Sequence, residues 1–82
     1  MNDDRVNNRI DEAVLALLYQ GIFEHHPVMG ARSWKSFDWA AMGRLHDKGL
    51  ISDPASKAKS VLLTETGLRE AEAAFRRLFE TD

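Results

Sequence analysis

Leu45-His46-Asp47-Lys48-Gly49-Leu50-Ile51 and, after a short polar gap, Val61-Leu62-Leu63-Thr64-Glu65-Thr66-Gly67 decide how this chain is built. The first stretch ends a helix and opens a strand, because Gly49 can supply the positive φ that stops a helix at its C′ position. The second closes a strand and opens a helix, because the Thr64 hydroxyl can accept a bond from a backbone N–H of the first turn. Working outward, Asp38 is placed to cap the helix that ends at Gly49, with Trp39, Met42 and Leu45 on one face. Leu50 and Ile51 start a strand, Asp53-Pro54 turns it, residues 56–60 make a polar tip, and residues 61–63 return antiparallel. Over residues 65–80, Leu68, Ala71, Phe75, Leu78 and Phe79 recur at helical spacing. The pairs Glu65/Arg69 and Glu72/Arg76 support that helix at i,i+4.

Upstream, residues 4–22 read as a first helix. Val6, Ile10, Val14, Leu17 and Leu18 form its expected core stripe, and neither Pro nor Gly occurs before Gly21. Leu15, Tyr19 and Ile22 fall outside that stripe, so this helix calls for cover on more than one side. Residues 24–37 contain Pro27 and Gly30 and read as a loop, with one helical turn at 28–31. The chain has 82 residues and no cysteine. That size fits one domain, 1–82, burying roughly 60–65% of its unfolded surface, and excludes a disulfide framework or a thiolate metal site. The longest apolar run, 13–19, is much shorter than a bilayer requires, and the charged start does not resemble a secretory leader. The expectation is a cytoplasmic protein.

The order of elements in residues 38–67 resembles the winged-helix modules of bacterial transcription regulators, including those with an added dimerisation helix. The resemblance implies an α+β fold, a compact winged helix of topology α-α-β-β-α with a short two-stranded wing. The second helix of its helix-turn-helix is reduced, because a loop stands where the regulators place a complete helix. Nearly full length, and most clearly in Ser33-Trp34-Lys35-Ser36-Phe37-Asp38-Trp39, Lys48-Gly49-Leu50-Ile51 and Lys57-Ala58-Lys59-Ser60-Val61, the chain is also similar to a family of small, functionally uncharacterised bacterial proteins.

Charge points to one possible ligand. The formal net charge is −2, yet residues 32–59 hold six basic groups (Arg32, Lys35, Arg44, Lys48, Lys57, Lys59) against three acidic ones (Asp38, Asp47, Asp53). Lys35, Arg44, Lys48, Lys57 and Lys59 are therefore candidate phosphate contacts for duplex DNA. Base readout has less to work with, since Asp38, Trp39, Ala40 and Ala41 offer no bidentate donor at the N-terminus of the candidate recognition helix. Trp34, Phe37 and Trp39 are expected in the core, although aromatics interleaved with Lys35 can also stack unpaired bases.

Catalysis and metal binding find little support. His25 and His26 are adjacent and His46 is remote, without the spacing that converges ligands on one ion. No nucleophile elbow, phosphate loop or paired-carboxylate motif is present. The sequence therefore reads as a non-enzyme without cofactor, metal or membrane partner. Leu15, Tyr19, Ile22, Ala74, Phe75 and Phe79 are the candidate interface of a homodimer. The leading expectation is a small dimeric regulatory module with weak electrostatic DNA binding. The alternative is a protein-protein adaptor on the same scaffold, without DNA binding.

Overall fold

A computed structural model describes residues 4–26, 30–35 and 38–80, excluding the side chain of His26. In chain order the elements are α1 (Asp4–Gln20), β1 (Ile22–His26), β2 (Gly30–Trp34), α2 (Trp39–Asp47), β3 (Ser60–Leu63) and α3 (Glu65–Phe79). The fold is α+β, with three helices and one antiparallel sheet of order β1-β2-β3. No helix among the described residues is long and apolar enough to cross a membrane.

The caps of α2 and α3 fall where the sequence places them, whereas α1 stops at Gln20 and Ile22, expected in that helix, begins β1. Asp38 Oδ2 accepts the Ala41 N–H at 3.0 Å, and Thr64 Oγ1 accepts the Gly67 N–H at 2.9 Å. Gly49 follows the cap of α2 with φ of 75°. Its N–H bonds the His46 carbonyl at 2.9 Å, while the Leu50 N–H reaches Leu45 at 3.0 Å, and together these satisfy the last carbonyls of the helix.

Two expectations about the strands change. The stretch 24–37 is not a plain loop: β1 and β2 form a hairpin there, pairing Ile22 with Ser33 and Glu24 with Arg32. Of the helical turn expected at 28–31, residues 28–29 lie outside the described residues, and Gly30 and Ala31 belong to β2. The reason is alternation across β2. Ala31 and Ser33 point into the core while Arg32 and Trp34 point out, a period-two pattern that short polar residues disguise. Conversely, the expected strand at Leu50 and Ile51 shrinks to one antiparallel bridge between Ile51 and Leu63, held by the Ser52 N–H on the Leu62 carbonyl at 2.8 Å. β3 takes its full ladder from β2 instead, with Ala31 opposite Leu63 and Trp34 opposite Ser60.

The core lies between the sheet and the three helices. Val14, Leu15 and Leu18 of α1 meet Met42 and Leu45 of α2, Leu50 and Ile51 of the connection, Val61 and Leu63 of β3, and Ala71 of α3. The face of α1 is therefore rotated from the one expected. Leu15 is buried, Tyr19 and Ile22 are half-buried, and Val6, Ile10 and Leu17 are exposed. Choosing Leu15 over Leu17 lets Leu18, Val14 and Asp11 share one buried side, and the Ser33 hydroxyl then donates to the Leu18 carbonyl at 2.6 Å inside the core.

The aromatic cluster also differs. Trp34 is 52% and Trp39 63% exposed, so neither fills the core as expected, and Phe37 lies outside the described residues. Met42 and Leu45 form the buried stripe of α2 with Ala41, leaving Trp39 on the opposite side of its first turn.

Candidate functional site

The basic residues are best followed from the carboxylate that organises them. Asp11 sits amid the apolar face of α1 and is only 3% exposed. Arg44 Nε donates to both of its oxygens, at 2.9 and 3.0 Å, and Arg44 Nη2 lies 2.8 Å from Oδ1. Lys48 Nζ approaches Oδ2 at 3.3 Å. Lys48, the C-cap of α2, stands one turn beyond Arg44, so both side chains reach the same carboxylate. The hydrogen bond to Asp11 raises the pKa of the Arg44 guanidinium. A buried carboxylate needs such partners, since leaving it unpaired is strongly destabilising.

Lys35 is engaged in a similar way. Its ammonium donates to the Pro54 and Ser56 carbonyls, each at 2.7 Å, and fastens the 53–56 turn to the end of β2. Lys57 and Lys59 stand exposed on the polar tip and make no side-chain bond among the described residues. Of the five candidate phosphate contacts, then, three hold the chain to itself and two face solvent. Nothing in a count of charges reveals this. The signal available in the sequence is Asp11, an acidic residue spaced among Val14, Leu15 and Leu18 on one helical face, where only a buried cation partner makes it tolerable.

A second surface is aromatic. The pairing of β1 with β2 is irregular between Ile22 and Glu24, leaving Phe23 as an extra residue. A bulge of this kind re-aims a side chain. Here the Phe23 ring stacks on Trp34 with centroids 4.3 Å apart and planes 23° apart. Phe23 was not among the candidates, because one Phe between Ile22 and Glu24 carries no visible sign of a bulge. Beside the pair, Arg32 donates to the Ser60 hydroxyl at 3.1 Å and approaches Glu24 at 3.9 Å.

The third surface lies between α1 and α3, the most extensive helix pair. Of the candidate dimer residues, Leu15 and Ala74 are buried within the chain, and Tyr19, Ile22 and Phe75 are half-buried. Phe79 is exposed. Tyr19 packs on Phe75 with centroids 5.3 Å apart, and Phe75 on Phe79 at the same separation. The Tyr19 hydroxyl donates to Glu72 at 3.3 Å. Desolvation, followed by the Glu72 charge, raises its pKa. Leu17, Gln20, Phe75 and Phe79 border a shallow groove there. Arg77 and Glu12 close the other edge of the helix pair at 2.9 Å.

Metal ligands do not gather. No group of three or more His, Cys, Asp or Glu side chains converges among the described residues. His25 is exposed on β1, and His46 Nδ1 lies 3.2 Å from the Ile51 carbonyl.

Fold and surfaces together define a small α+β protein whose Arg44 and Lys48 pair with one buried carboxylate and whose large apolar side chains are partly turned outward. The chain belongs to the family described as Domain of unknown function (DUF6429), whose model matches residues 6–81. It is 50% identical over 72 residues to the "Uncharacterized protein y4hR" of Sinorhizobium fredii (strain NBRC 101917 / NGR234), a match covering 88% of this chain and 90% of that one. No solved structure matches it at a significant level.

Proposed function

We propose that this protein is a small protein-interaction module on a winged-helix-like scaffold, and that it does not read duplex DNA. The observation that carries the reading is the bonding of Arg44 and Lys48 to buried Asp11, which ties the α2 guanidinium and the ammonium at its C-cap to α1. Apart from Arg44, what α2 offers to solvent is Trp39, Ala40, Asp47 and His46, whose Nδ1 is turned to the Ile51 carbonyl at the C-terminal end of the helix, with half-exposed Gly43. None of these makes the bidentate contact to a base edge that a recognition helix uses, and Asp47 repels phosphate. Exposed Trp34, Phe23 and Phe79 supply instead the aromatic area that protein interfaces favour. The Ile51–Leu63 bridge between α2 and α3 occupies the position of a wing, which supports the scaffold assignment.

The test is a titration of fluorescent random-sequence duplex at low ionic strength. With only Lys57 and Lys59 of the five candidate contacts available, association through that face has a log–log salt slope no steeper than about −2. A slope approaching about −4, which needs all five cations, overturns the reading.

A further inference from the structure

Arg32 and Trp34 stand on the face of β2 opposite Ala31 and Ser33, so they look out from the side of the sheet turned away from the core. The bulge at Phe23 brings a second ring to Trp34, and the two stack at 4.3 Å with planes 23° apart. Each ring therefore covers one flat side of the other. The outer side of each stays open, and the rings remain 47% and 52% exposed.

Cations lie at the Trp34 end of this stack. Trp34 pairs with Ser60, about 5 Å away across the ladder, and the Lys35 N–H bonds the Lys59 carbonyl at 3.4 Å. The polar tip thus delivers Lys59, and Lys57 two residues earlier, beside the end of β2 that carries the indole. Both ammoniums are exposed and make no side-chain bond among the described residues. Lys35 adds a third charge, since the neutral Pro54 and Ser56 carbonyls hold its ammonium without cancelling it. The neighbouring carboxylates are engaged elsewhere: Glu24 lies 3.9 Å from Arg32, and Asp53 accepts the Ala55 N–H at 2.8 Å.

We infer that this face binds single-stranded nucleic acid without regard to sequence, with an unpaired base on the open side of Trp34 and the flanking phosphates on Lys57 and Lys59. Two observations choose that occupant. Near-parallel rings with open ends form a stack that a nucleobase extends, and every base has the π-face this requires. The free ammoniums beside them match a phosphate backbone, whereas an apolar partner leaves them unpaired. A duplex fits poorly, because its bases are already stacked on one another. The inference goes beyond the protein-interaction reading, which the α1–α3 side with exposed Phe79 continues to carry.

Trp34 is itself the probe. The chain has two tryptophans, so Trp39→Phe leaves the emission of Trp34 alone. It is followed at low ionic strength as oligothymidine or oligouridine of about 12 nucleotides, the corresponding duplex, or polyglutamate of matched charge is added. A single strand is expected to quench Trp34 by about half or more, and the duplex and polyglutamate to leave it nearly unchanged. By anisotropy of a labelled strand, Trp34→Ala is expected to weaken binding about tenfold, and Trp34→Phe, which keeps a ring, to recover most of the loss. Lys57→Ala combined with Lys59→Ala, both on the exposed tip, is expected to bring the log–log salt slope from about −1.4 to near zero with unchanged circular dichroism. Should Trp34→Ala not fold, the lysine pair and the quenching still decide. Quenching by only one of the two single strands supports the proposal and tells DNA from RNA. Equal quenching by the duplex or by polyglutamate overturns the single-strand occupant, and a salt slope untouched by the lysine pair overturns the site. No quenching by either single strand overturns the proposal, while the interaction reading keeps its own duplex test.

Discussion

Asp11 shows how one side chain changes the meaning of two others. By charge alone, Arg44 and Lys48 belong to a basic patch, yet on the structure they neutralise a carboxylate that is nearly sealed from water. Asp11→Ala leaves both cations facing an apolar wall, and the thermal midpoint is expected to fall on the order of 10 °C, checked by calorimetry. Asp11→Asn, which keeps shape but not charge, is expected to fall between. Trp39 behaves oppositely. Its ring is mostly in solvent, so Trp39→Ala is expected to shift unfolding by less than about 0.5 kcal/mol in urea. Tyr19 contributes through pH. Burial and Glu72 raise its folded pKa, so the unfolded chain loses its phenolic proton first. The contribution is full below about pH 10 and is lost as pH rises through the folded value. Denaturant midpoints measured up the alkaline limb are expected to fall, and Tyr19→Phe to flatten that fall.

At the scale of elements, the junction of the Leu50 segment, β3 and α3 concentrates the stabilising contacts that the sequence announces. Thr64 accepts from the Gly67 N–H, donates to the Gly49 carbonyl at 2.9 Å, and binds the Leu50 carbonyl through its own N–H at 3.0 Å. Thr64→Ala is expected to cost about 1–2 kcal/mol, and Thr64→Ser to recover most of it, measured by chemical denaturation. Gly67 packs so closely on the Leu50 backbone that a Cβ would overlap its carbonyl. Gly67→Ala is therefore expected to be the more damaging change, although Ala is ordinarily the better helix former. Caps such as Asp38, Gly49 and Thr64 act within a few residues, which is why three helices and β3 were legible from sequence. The hairpin of β1 and β2 was not. Its inward residues, Ala31 and Ser33, are small, and only the tertiary partners Leu18, Val61 and Leu63 reveal them as core positions. The same holds for the site: exposed Lys57 and Lys59 could be read from the chain, whereas the diversion of Lys35, Arg44 and Lys48 depends on residues distant in sequence.

For the whole molecule, the decisive quantity is how much of α1 water touches when the protein is at work. An 82-residue chain has a small core, and leaving Val6, Ile10, Leu17 and Phe79 wet forgoes burial that a covering partner would provide. If two copies of the chain associate through this stripe, folding and association share one equilibrium, and the midpoint must depend on concentration. A tenfold rise in chain concentration favours the dimer by about 1.4 kcal/mol, half of it per chain. For a domain of this size, that raises the midpoint by roughly 4 °C. Ile10→Lys places an ammonium in the stripe of each copy and is expected to lower the midpoint at high concentration and abolish its slope. At high dilution, where wild type is also monomeric, the two proteins should unfold within a few degrees of each other, because Ile10 does little for the isolated core. A wild-type midpoint that stays constant over two decades of concentration contradicts this coupling. The apolar stripe of α1 then belongs to the monomer's permanent surface, and its cover must come from a different protein.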